Sequence, residues 1–226
     1  TARRSADDAT SDQVLAVFLK DDYSLEPVVG WDTLGMRGTR SDGFTLKARG
    51  DSDQILAEPY EKIHLRTMVP FAHMMWSATW AGVAAGAVER ARMFVRNAAR
   101  SAGGQLPPGA THLTRATASL QLLRGFIGSA VKRFEAASSD ERELESIDFQ
   151  TSMTLLKVNS SELAVSTVMS ALQATGLSGY RNDNEFSMGR HLRDVLSSPI
   201  MINNDRILAN LAAASLVSPV PALLMD

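Results

Sequence analysis

The chain has 226 residues and a formal net charge of −2, which allows one large or two small domains and gives no reason to expect a nucleic-acid partner. It contains no cysteine, which excludes disulfides, thiol nucleophiles and thiolate metal sites and favours a cytoplasmic location. No apolar run is long enough to span a bilayer. The four histidines are far apart and lack a metal-ligand spacing, so we expect no metal site and assign them structural or surface roles.

The first part of the chain has the composition of a β domain. It starts at Thr1 without an initiator methionine or an apolar signal segment, so we expect further sequence upstream. Short β-type runs follow, "QVLAVFL" (13–19), one within "SLEPVVGWDTLG" and "GFTLKA" (43–48), which alternates like a half-buried strand. So few strands need further partners to be stable. Residues 1–59 are therefore predicted to be the C-terminal part of an incomplete β domain.

From Arg66 onward the periodicity becomes helical. An Ala- and Gly-rich segment (71–100) comes first and is ended by "SAGGQLPPGAT" (101–111). Two further segments carry apolar seams at alternating steps of three and four, which is the geometry of helices packed nearly parallel. The seams are Leu113, Ala116, Leu120, Leu123, Ile127, Ala130 and Phe134, then Leu144, Ile147, Thr151, Leu155, Val158, Val165, Val168 and Leu172.

Two shorter helices are expected at about 184–197 and 203–216, followed by a Pro-punctuated tail. The second domain, residues 60–226, is predicted to be an up-down four-helix bundle. The predicted fold class is therefore mainly α with a β N-terminal part.

Three motifs resemble a known family. "WDTLGMRGTRSDGFTLKA" (31–48), "QATGLSGY" (173–180) and "RHLRDVLSSPI" (190–200) are similar to segments of acyl-CoA dehydrogenases, in family order and at family distances. The resemblance implies the end of a β-barrel-like middle domain followed by the C-terminal helical bundle. It further implies FAD as the cofactor, an acyl thioester of coenzyme A or a carrier protein as substrate, and a homodimer or tetramer or a hetero-oligomer with a base-bearing subunit.

The resemblance also implies cofactor contacts. By family position these are Arg100, Gln173, Gly176, Gly179 and Asn204. A different interpretation remains open for two of them. Gly176 is also well placed to end the preceding helix as a C-cap, and Arg100 is also typical of a solvated cation at a helix end. The chain departs from the family pattern at Leu177, where a second glycine is usual.

The family's reaction needs a carboxylate that removes a proton next to the thioester. The position of the usual Glu, counted from Arg193 and Asp194, is occupied by Ile202, and the alternative position on the first bundle helix is occupied by Met75. Asp205 is the nearest carboxylate and a weak candidate, because an Asp at the start of a helix is more often a cap or first-turn residue. Met74, Met75, Trp76 and Trp80 indicate an apolar lining.

Four functions therefore remain open at this point. The first is an FAD-dependent acyl-CoA dehydrogenase-like oxidoreductase, of which this chain would be a part. The second is a non-catalytic subunit of a hetero-oligomeric acyl-CoA dehydrogenase. The third is a flavin-dependent monooxygenase or oxidase on the same fold. The fourth is a helical interaction module without a cofactor. The empty base positions Ile202 and Met75 agree with both the second and the third.

Overall fold

A computed structural model describes residues 1–9 and 12–217, and these residues are mainly helical with a small β part at the N-terminus. Strand β1 (Ala2–Arg3) pairs antiparallel with β2 (Gln13–Val14). Strand β3 (Tyr23–Val29) pairs antiparallel with β4 (Gly43–Ala48). Short 3-10 turns lie at Lys20–Asp22, Arg37–Thr39 and Ser52–Gln54.

The β3–β4 ribbon corrects two expectations. The strand predicted at 43–48 has the predicted bounds, but it is not half-buried, since Phe44 is 46% and Leu46 57% exposed. The described residues provide no second layer to cover either face of a two-stranded ribbon. The run predicted as a strand at 13–19 pairs as a strand only at Gln13–Val14, with one further bridge from Ala16 to Ile55.

The helical part begins with α1 (Tyr60–Ile63), one π-helical turn (His64–Met68) and α2 (Val69–Ser101), which follow each other without a break. Then come α3 (Ala110–Ala137), α4 (Glu141–Leu144), α5 (Ile147–Thr175), α6 (Leu177–Tyr180), α7 (Gly189–Val195) and α8 (Asn204–Val217). Arg66 in the π turn forms ion pairs with Glu141 and Glu145, at 2.9 and 2.6 Å, and so joins the start of the long helical segment to α4.

The core lies where α2, α3 and α5 pack against one another. Helices α2 and α5 run parallel. His73 on α2 contacts Met153 on α5. Further along both helices in the same direction, Trp80 on α2 contacts Lys157 on α5. The predicted α3 seam is confirmed at its centre, with Ala116 and Leu123 fully buried. The shorter helices α7 and α8 pack on α5, and α7 also packs on α2.

The three long helices and the two short ones near the C-terminus agree with the sequence pattern in type and order. The predicted tail after residue 217 lies outside the described residues. The domain division at residues 59 and 60 stays a prediction, although the first helix begins at Tyr60. Within the described ranges, no helix has both the length and the apolar character needed to cross a membrane.

Candidate functional site

The loop that joins β3 to β4, residues 31–42, is stiffened by its own hydrogen bonds; we call it the junction loop. The Trp31 backbone N–H donates to Asp42 Oδ1 at 2.9 Å, and its indole Nε1–H donates to the Met36 carbonyl at 2.9 Å. The Thr39 hydroxyl donates to the same carbonyl at 2.8 Å. Met36 and Arg40 have φ angles of 54° and 48°, in the left-handed region, which costs free energy for residues other than glycine. The hydrogen bonds of the loop offset this conformational cost.

The junction loop is docked on α7 at two adjacent residues. The Met36 N–H donates to Asp194 Oδ1 at 2.7 Å. A Cβ atom at Gly35 would lie 2.0 Å from the Arg193 carbonyl oxygen, so only glycine permits this approach. The motifs "LGMRGT" and "RHLRD", which are far apart in sequence, therefore meet in the fold and position each other.

A cavity of about 510 Å³ lies between the junction loop, Trp80 on α2 and the segment that follows α7; we call it the junction cavity. Its volume falls within the range of small-molecule sites. Most of its lining is apolar, and Arg193 is its one charged residue among those the structure describes. The lining comprises Trp31, Thr33, Leu34, Gly35, Met36, Thr39, Ser41, Trp80, Arg193, Leu196, Ser197, Ile200 and Met201.

Arg193 is unusual because its guanidinium has no acceptor. The Nε atom is buried, and no hydrogen bond or ion pair from this side chain is made within residues 1–9 and 12–217. The two closest carboxylates on the connected elements are already engaged. Asp194 accepts from Met36, while Asp42 accepts from Trp31 and pairs with Arg40 at 3.6 Å. A buried donor without an acceptor is costly, so this guanidinium is suited to hold a ligand oxygen.

A second cation lies behind the cavity wall. Lys157 on α5 is fully buried, and its ammonium is 5.8 Å from the centroid of the Trp80 ring. It donates to Asn204 Oδ1 at 2.6 Å. Burial lowers the pKa of Lys157 to about 8, with the charge of Glu162 acting in the opposite direction. Because no buried carboxylate pairs with Lys157 in the described structure, its positive charge is poorly compensated.

The segment between α7 and α8 is pinned to α5 by polar contacts. The Ser198 hydroxyl donates to the Ser161 carbonyl at 3.3 Å, and Asn204 Nδ2 donates to Ser161 Oγ at 3.0 Å. Between them Ile202 has φ of 48°, an outlier for a β-branched residue. This segment supplies Ile200 and Met201 to the junction cavity. The polar contacts with α5 thus hold one wall of the cavity in place.

The structure gives the predicted base positions an unreactive surrounding. Ile202 is 40% exposed, and Met75 points away from the core with 59% exposure. Asp205 lies in the first turn of α8, where its backbone N–H donates to Asn203 Oδ1 at 2.9 Å. Its side chain is exposed and does not line the junction cavity. Of the predicted apolar lining, Trp80 reaches the cavity, whereas Met74 packs into a separate core cluster.

Four predicted cofactor residues lie at or just after the C-termini of α2 and α5. Arg100 and Gln173 are exposed near the C-termini of α2 and α5. Gly176 ends α5 with a φ angle of 55°. Gly179 is buried, and a Cβ atom added there would lie only 1.9 Å from Thr175 Oγ1. Gly179 also lines a smaller cavity of about 290 Å³, which shares Arg193 with the junction cavity.

The fifth predicted cofactor residue is separate from this group. Asn204 is 7% exposed and contacts Lys157 and Ser161. Ser161 lies 12 residues before Gln173 on α5, which is about 18 Å along a helix axis at 1.5 Å per residue. Both polar atoms of the Asn204 amide are used within the protein. Arg100, Gln173, Gly176 and Gly179 thus lie at the C-terminal ends of α2 and α5, and Asn204 lies elsewhere.

Two histidines are part of the core. His73 Nδ1–H donates to the Met153 carbonyl at 3.0 Å, and His191 packs so closely on α2 that a Cβ at Gly86 would lie 3.0 Å from its Nε2. Burial lowers the pKa of both imidazoles, so both are neutral near pH 7. The structural role expected for histidines in this chain therefore holds for His73 and His191. The described residues contain no cluster of three acidic or imidazole side chains that would suit a metal ion.

The sequence reading gave no role to Arg193, Lys157 or Trp31, which the fold places in or behind the junction cavity. In the sequence, Arg193 stands out only as part of the motif "RHLRDVLSSPI". A signal for Lys157 did exist, since Met153, Lys157, Ser160 and Ala164 follow helical spacing along one buried face of α5. A lysine on such a face is rarely found buried without a partner.

Comparison with solved structures shows the fold at low sequence identity. The nitrososynthase of Micromonospora carbonacea var. africana matches with 21% identity and a TM-score of 0.68, over 87% of this chain and 53% of its own. FMN-bound TdsC of Paenibacillus sp. A11-2 matches with 18% identity and a TM-score of 0.72, over 92% and 57%. The flavoprotein nitroalkane oxidase matches with 20% identity and a TM-score of 0.66, over 88% and 47%.

This chain spans about half the length of those solved proteins, at 53%, 57% and 47%. No curated protein gives a significant match. The family model of the acyl-CoA dehydrogenase C-terminal domain matches residues 66–217, which contain α2 to α8. The chain therefore belongs to the acyl-CoA dehydrogenase family and contains its C-terminal helical domain.

Proposed function

We propose that this protein is a flavin-dependent oxidoreductase that acts as an oxidase or monooxygenase on the acyl-CoA dehydrogenase fold, and that the junction cavity is its reaction site. The observation that carries the proposal is the lining of that cavity. It holds two tryptophans and one arginine, and it holds no carboxylate among the described residues. Dehydrogenation of an acyl thioester needs such a carboxylate, because a proton must be removed next to the thioester carbonyl.

The base positions support the same conclusion. Ile202 cannot accept a proton, and Met75 is directed toward solvent. Asp205 is held by the geometry of the first turn of α8, outside the cavity lining. A local change of register that would bring its carboxylate to the position of Ile202 would also break the capping by Asn203. Monooxygenase chemistry, in which the reduced flavin and O2 supply the oxygen atom, does not need a base that removes a proton next to a thioester.

The residues of the cavity fit a flavin ring. An isoalloxazine is a flat aromatic system with polar atoms along one edge, and a cavity of about 510 Å³ walled by Trp31 and Trp80 accommodates such a ring. When bound, the flavin supplies the hydride, electron and oxygen chemistry that no side chain of this chain provides. The protein's own residues would orient the ring and the substrate and exclude water.

The group at the C-terminal ends of α2 and α5 adds a second set of proposed cofactor contacts. We infer that Gln173, Gly176 and Gly179 contact the adenosine-diphosphate part of the FAD of a neighbouring subunit, with Gly176 and Gly179 offering backbone approach, and that Arg100 is a further FAD contact. The relatives support a flavin in general, since TdsC is described as FMN-bound and nitroalkane oxidase as a flavoprotein. Binding of FAD rather than FMN is part of the proposal. Oligomer formation and cytoplasmic location are likewise proposed from the family resemblance.

A non-catalytic subunit of a hetero-oligomer is the second candidate, because Ile202 and Met75 suit it equally well. The two are separated by experiment. The purified full-length protein is examined for flavin absorption, then mixed without oxygen with a panel of acyl-CoAs, and finally reduced with NADH or dithionite and exposed to oxygen together with a panel of apolar aromatic compounds. The proposal predicts flavin bands, no bleaching by any acyl-CoA, and rapid oxygen consumption with product formation.

Bleaching by an acyl-CoA would contradict the proposal and direct attention to Asp205 as the base. Flavin bands with no product under any condition, until a second subunit is added, would favour the non-catalytic subunit. A protein that neither carries nor binds flavin would leave only the helical interaction module. Release of the cofactor by heat and its separation from authentic FMN and FAD identifies which flavin is bound.

A further inference from the structure

The junction cavity combines an apolar wall with an arginine whose Nε atom is buried. Its lining contains Arg193 and no carboxylate among the described residues, and the guanidinium of Arg193 has no partner there. The ammonium of Lys157 lies next to Trp80, one of the two aromatic walls. Charges in such a low-dielectric surrounding act over longer distances than charges in water.

The carboxylates near the cavity do not form an ion pair with Arg193 within the described residues. Asp194 on α7 and Asp42 at the end of the junction loop each accept a backbone N–H of that loop through Oδ1. Asp42 also pairs with Arg40. Around Lys157 the neighbouring elements contribute Asn204 from α8, the neutral His73 from α2 and Glu162 on α5, whose side chain is exposed.

We propose that the junction cavity selects a substrate with an apolar, preferably aromatic, body that carries one anionic oxygen group such as a carboxylate, and that Arg193 binds this group while Lys157 supplies supporting charge. The apolar body contacts Leu196, Ile200 and Met201, on the wall that the segment after α7 provides, beside the space assigned to the flavin ring. Arginine is well suited to the role because its planar donors match two carboxylate oxygens. This inference names a substrate class for the proposed reaction site, and in that respect it rests on the proposed function.

A matched pair of probes tests the charge preference directly. 2-Naphthoate and its neutral analogue 2-naphthamide have nearly the same shape, and binding of either is measured by quenching of tryptophan fluorescence and by calorimetry, with and without added flavin. We expect the wild type to bind 2-naphthoate at least tenfold more tightly than 2-naphthamide. Equal affinities would overturn the inference.

Variants assign the preference to a residue. Arg193→Gln is expected to equalise the two affinities, and Arg193→Lys to retain a reduced preference for the anion. Arg190→Gln is the control, since Arg190 is exposed on the same helix. A preference that survives Arg193→Gln, or that is lost equally in Arg190→Gln, would overturn the assignment. Circular dichroism establishes that each variant is folded.

The part of Lys157 is tested by pH. Its ammonium loses charge above pH 8, so the preference for 2-naphthoate is expected to fall between pH 7 and pH 9 in the wild type and to be independent of pH in Lys157→Met. A pH-independent preference in the wild type would overturn the role of Lys157. A protein that prefers 2-naphthoate but binds no flavin would refute the proposed function alone, whereas one that binds flavin without this preference would refute only the inference.

Discussion

The two halves of the α2–α5 interface are built in different ways. Toward the C-termini the helices meet through alanines, and Ala84, Ala87, Ala164 and Ala171 are all fully buried. The threonines buried in this half, Thr167 and Thr175, donate to carbonyls of their own helix. Toward the N-termini the same interface contains polar side chains, namely His73, Ser77, Lys157, Ser160 and Ser161, each 6% exposed or less. The C-terminal half, which we call the alanine half, allows the two backbones to approach closely. The N-terminal half, which we call the polar half, keeps polar side chains where apolar side chains would pack better.

The polar half carries a cost that the alanine half avoids. The hydroxyls of Ser77 and Ser160 are buried and have no hydrogen-bond partner within the described residues. Each such group costs about 1 to 3 kcal/mol. The polar half also adjoins the junction cavity through Lys157 and Trp80. Buried polar groups that destabilise a fold are expected near functional sites. The presence of such groups in the polar half therefore supports the proposal that the junction cavity is the site.

The largest expected effect is in the alanine half. Ala87→Leu adds three carbon atoms where there is no space, and we expect the free energy of unfolding to fall by about 3 kcal/mol, because close packing of α2 on α5 is lost. Urea unfolding measures this change. Ala78→Leu is the matched control, since Ala78 is exposed on the same helix and its replacement should alter stability by no more than about 0.5 kcal/mol. Similar losses in both variants would contradict the packing described here.

The polar half is tested through Lys157. The pKa of Lys157 is lowered from 10.5 to about 8 in the folded protein, so above pH 8 the unfolded chain binds more protons than the folded one. Stability of the wild type relative to Lys157→Met should therefore rise with pH, by roughly 2 kcal/mol between pH 8 and pH 10. Urea unfolding over this range measures the difference. Lys132→Met, at an exposed lysine of α3, should show no such trend.

The contact between the junction loop and α7 is tested at Gly35. Gly35→Ala places a methyl group against the Arg193 carbonyl, and we expect the loop to move and the Met36–Asp194 hydrogen bond to break, at a cost of about 1 to 2 kcal/mol. Hydrogen exchange at the Met36 amide should become faster. Gly38→Ala in the same loop is the control, because a Cβ there would meet nothing within 4 Å. Unchanged protection of the Met36 amide in Gly35→Ala would contradict this docking.

The smallest effect is expected at Ile202. Its φ of 48° is unfavourable for a β-branched residue, so Ile202→Gly releases strain. Ile200 is 73% exposed and has no positive φ, so Ile200→Gly releases none. We expect Ile202→Gly to be more stable than Ile200→Gly by about 1 kcal/mol in thermal unfolding. The reverse order would mean that the backbone at residue 202 is unstrained.

The sequence predicted the elements more reliably than the site. The 3-4 seam of α3 and the alternation in β4 are local patterns, and the structure has helix and strand there. The prediction that β4 is half-buried was wrong, because the burial of a strand depends on a second layer that covers it and not on the strand's own sequence. The capping role of the residues around Asp205 followed from the ordinary chemistry of helix starts.

The junction cavity was not predictable in the same way. It depends on a contact between residues far apart in the chain, in which Gly35 lies against Arg193 and Met36 binds Asp194. The family resemblance drew attention to both motifs without indicating that they touch. The unpartnered guanidinium of Arg193 and the buried ammonium of Lys157 follow from tertiary packing, which a single sequence does not specify.

The central claim is that the junction cavity holds the flavin ring, and the most direct test fills the cavity. Ser197 lines it, so Ser197→Phe occupies part of its volume, whereas Ser166→Phe adds the same group at an exposed position of α5. Flavin affinity is measured by quenching of flavin fluorescence in both folded variants. The account predicts that Ser197→Phe binds flavin at least tenfold more weakly than the wild type and that Ser166→Phe binds it equally well. An unchanged affinity in Ser197→Phe would contradict the claim.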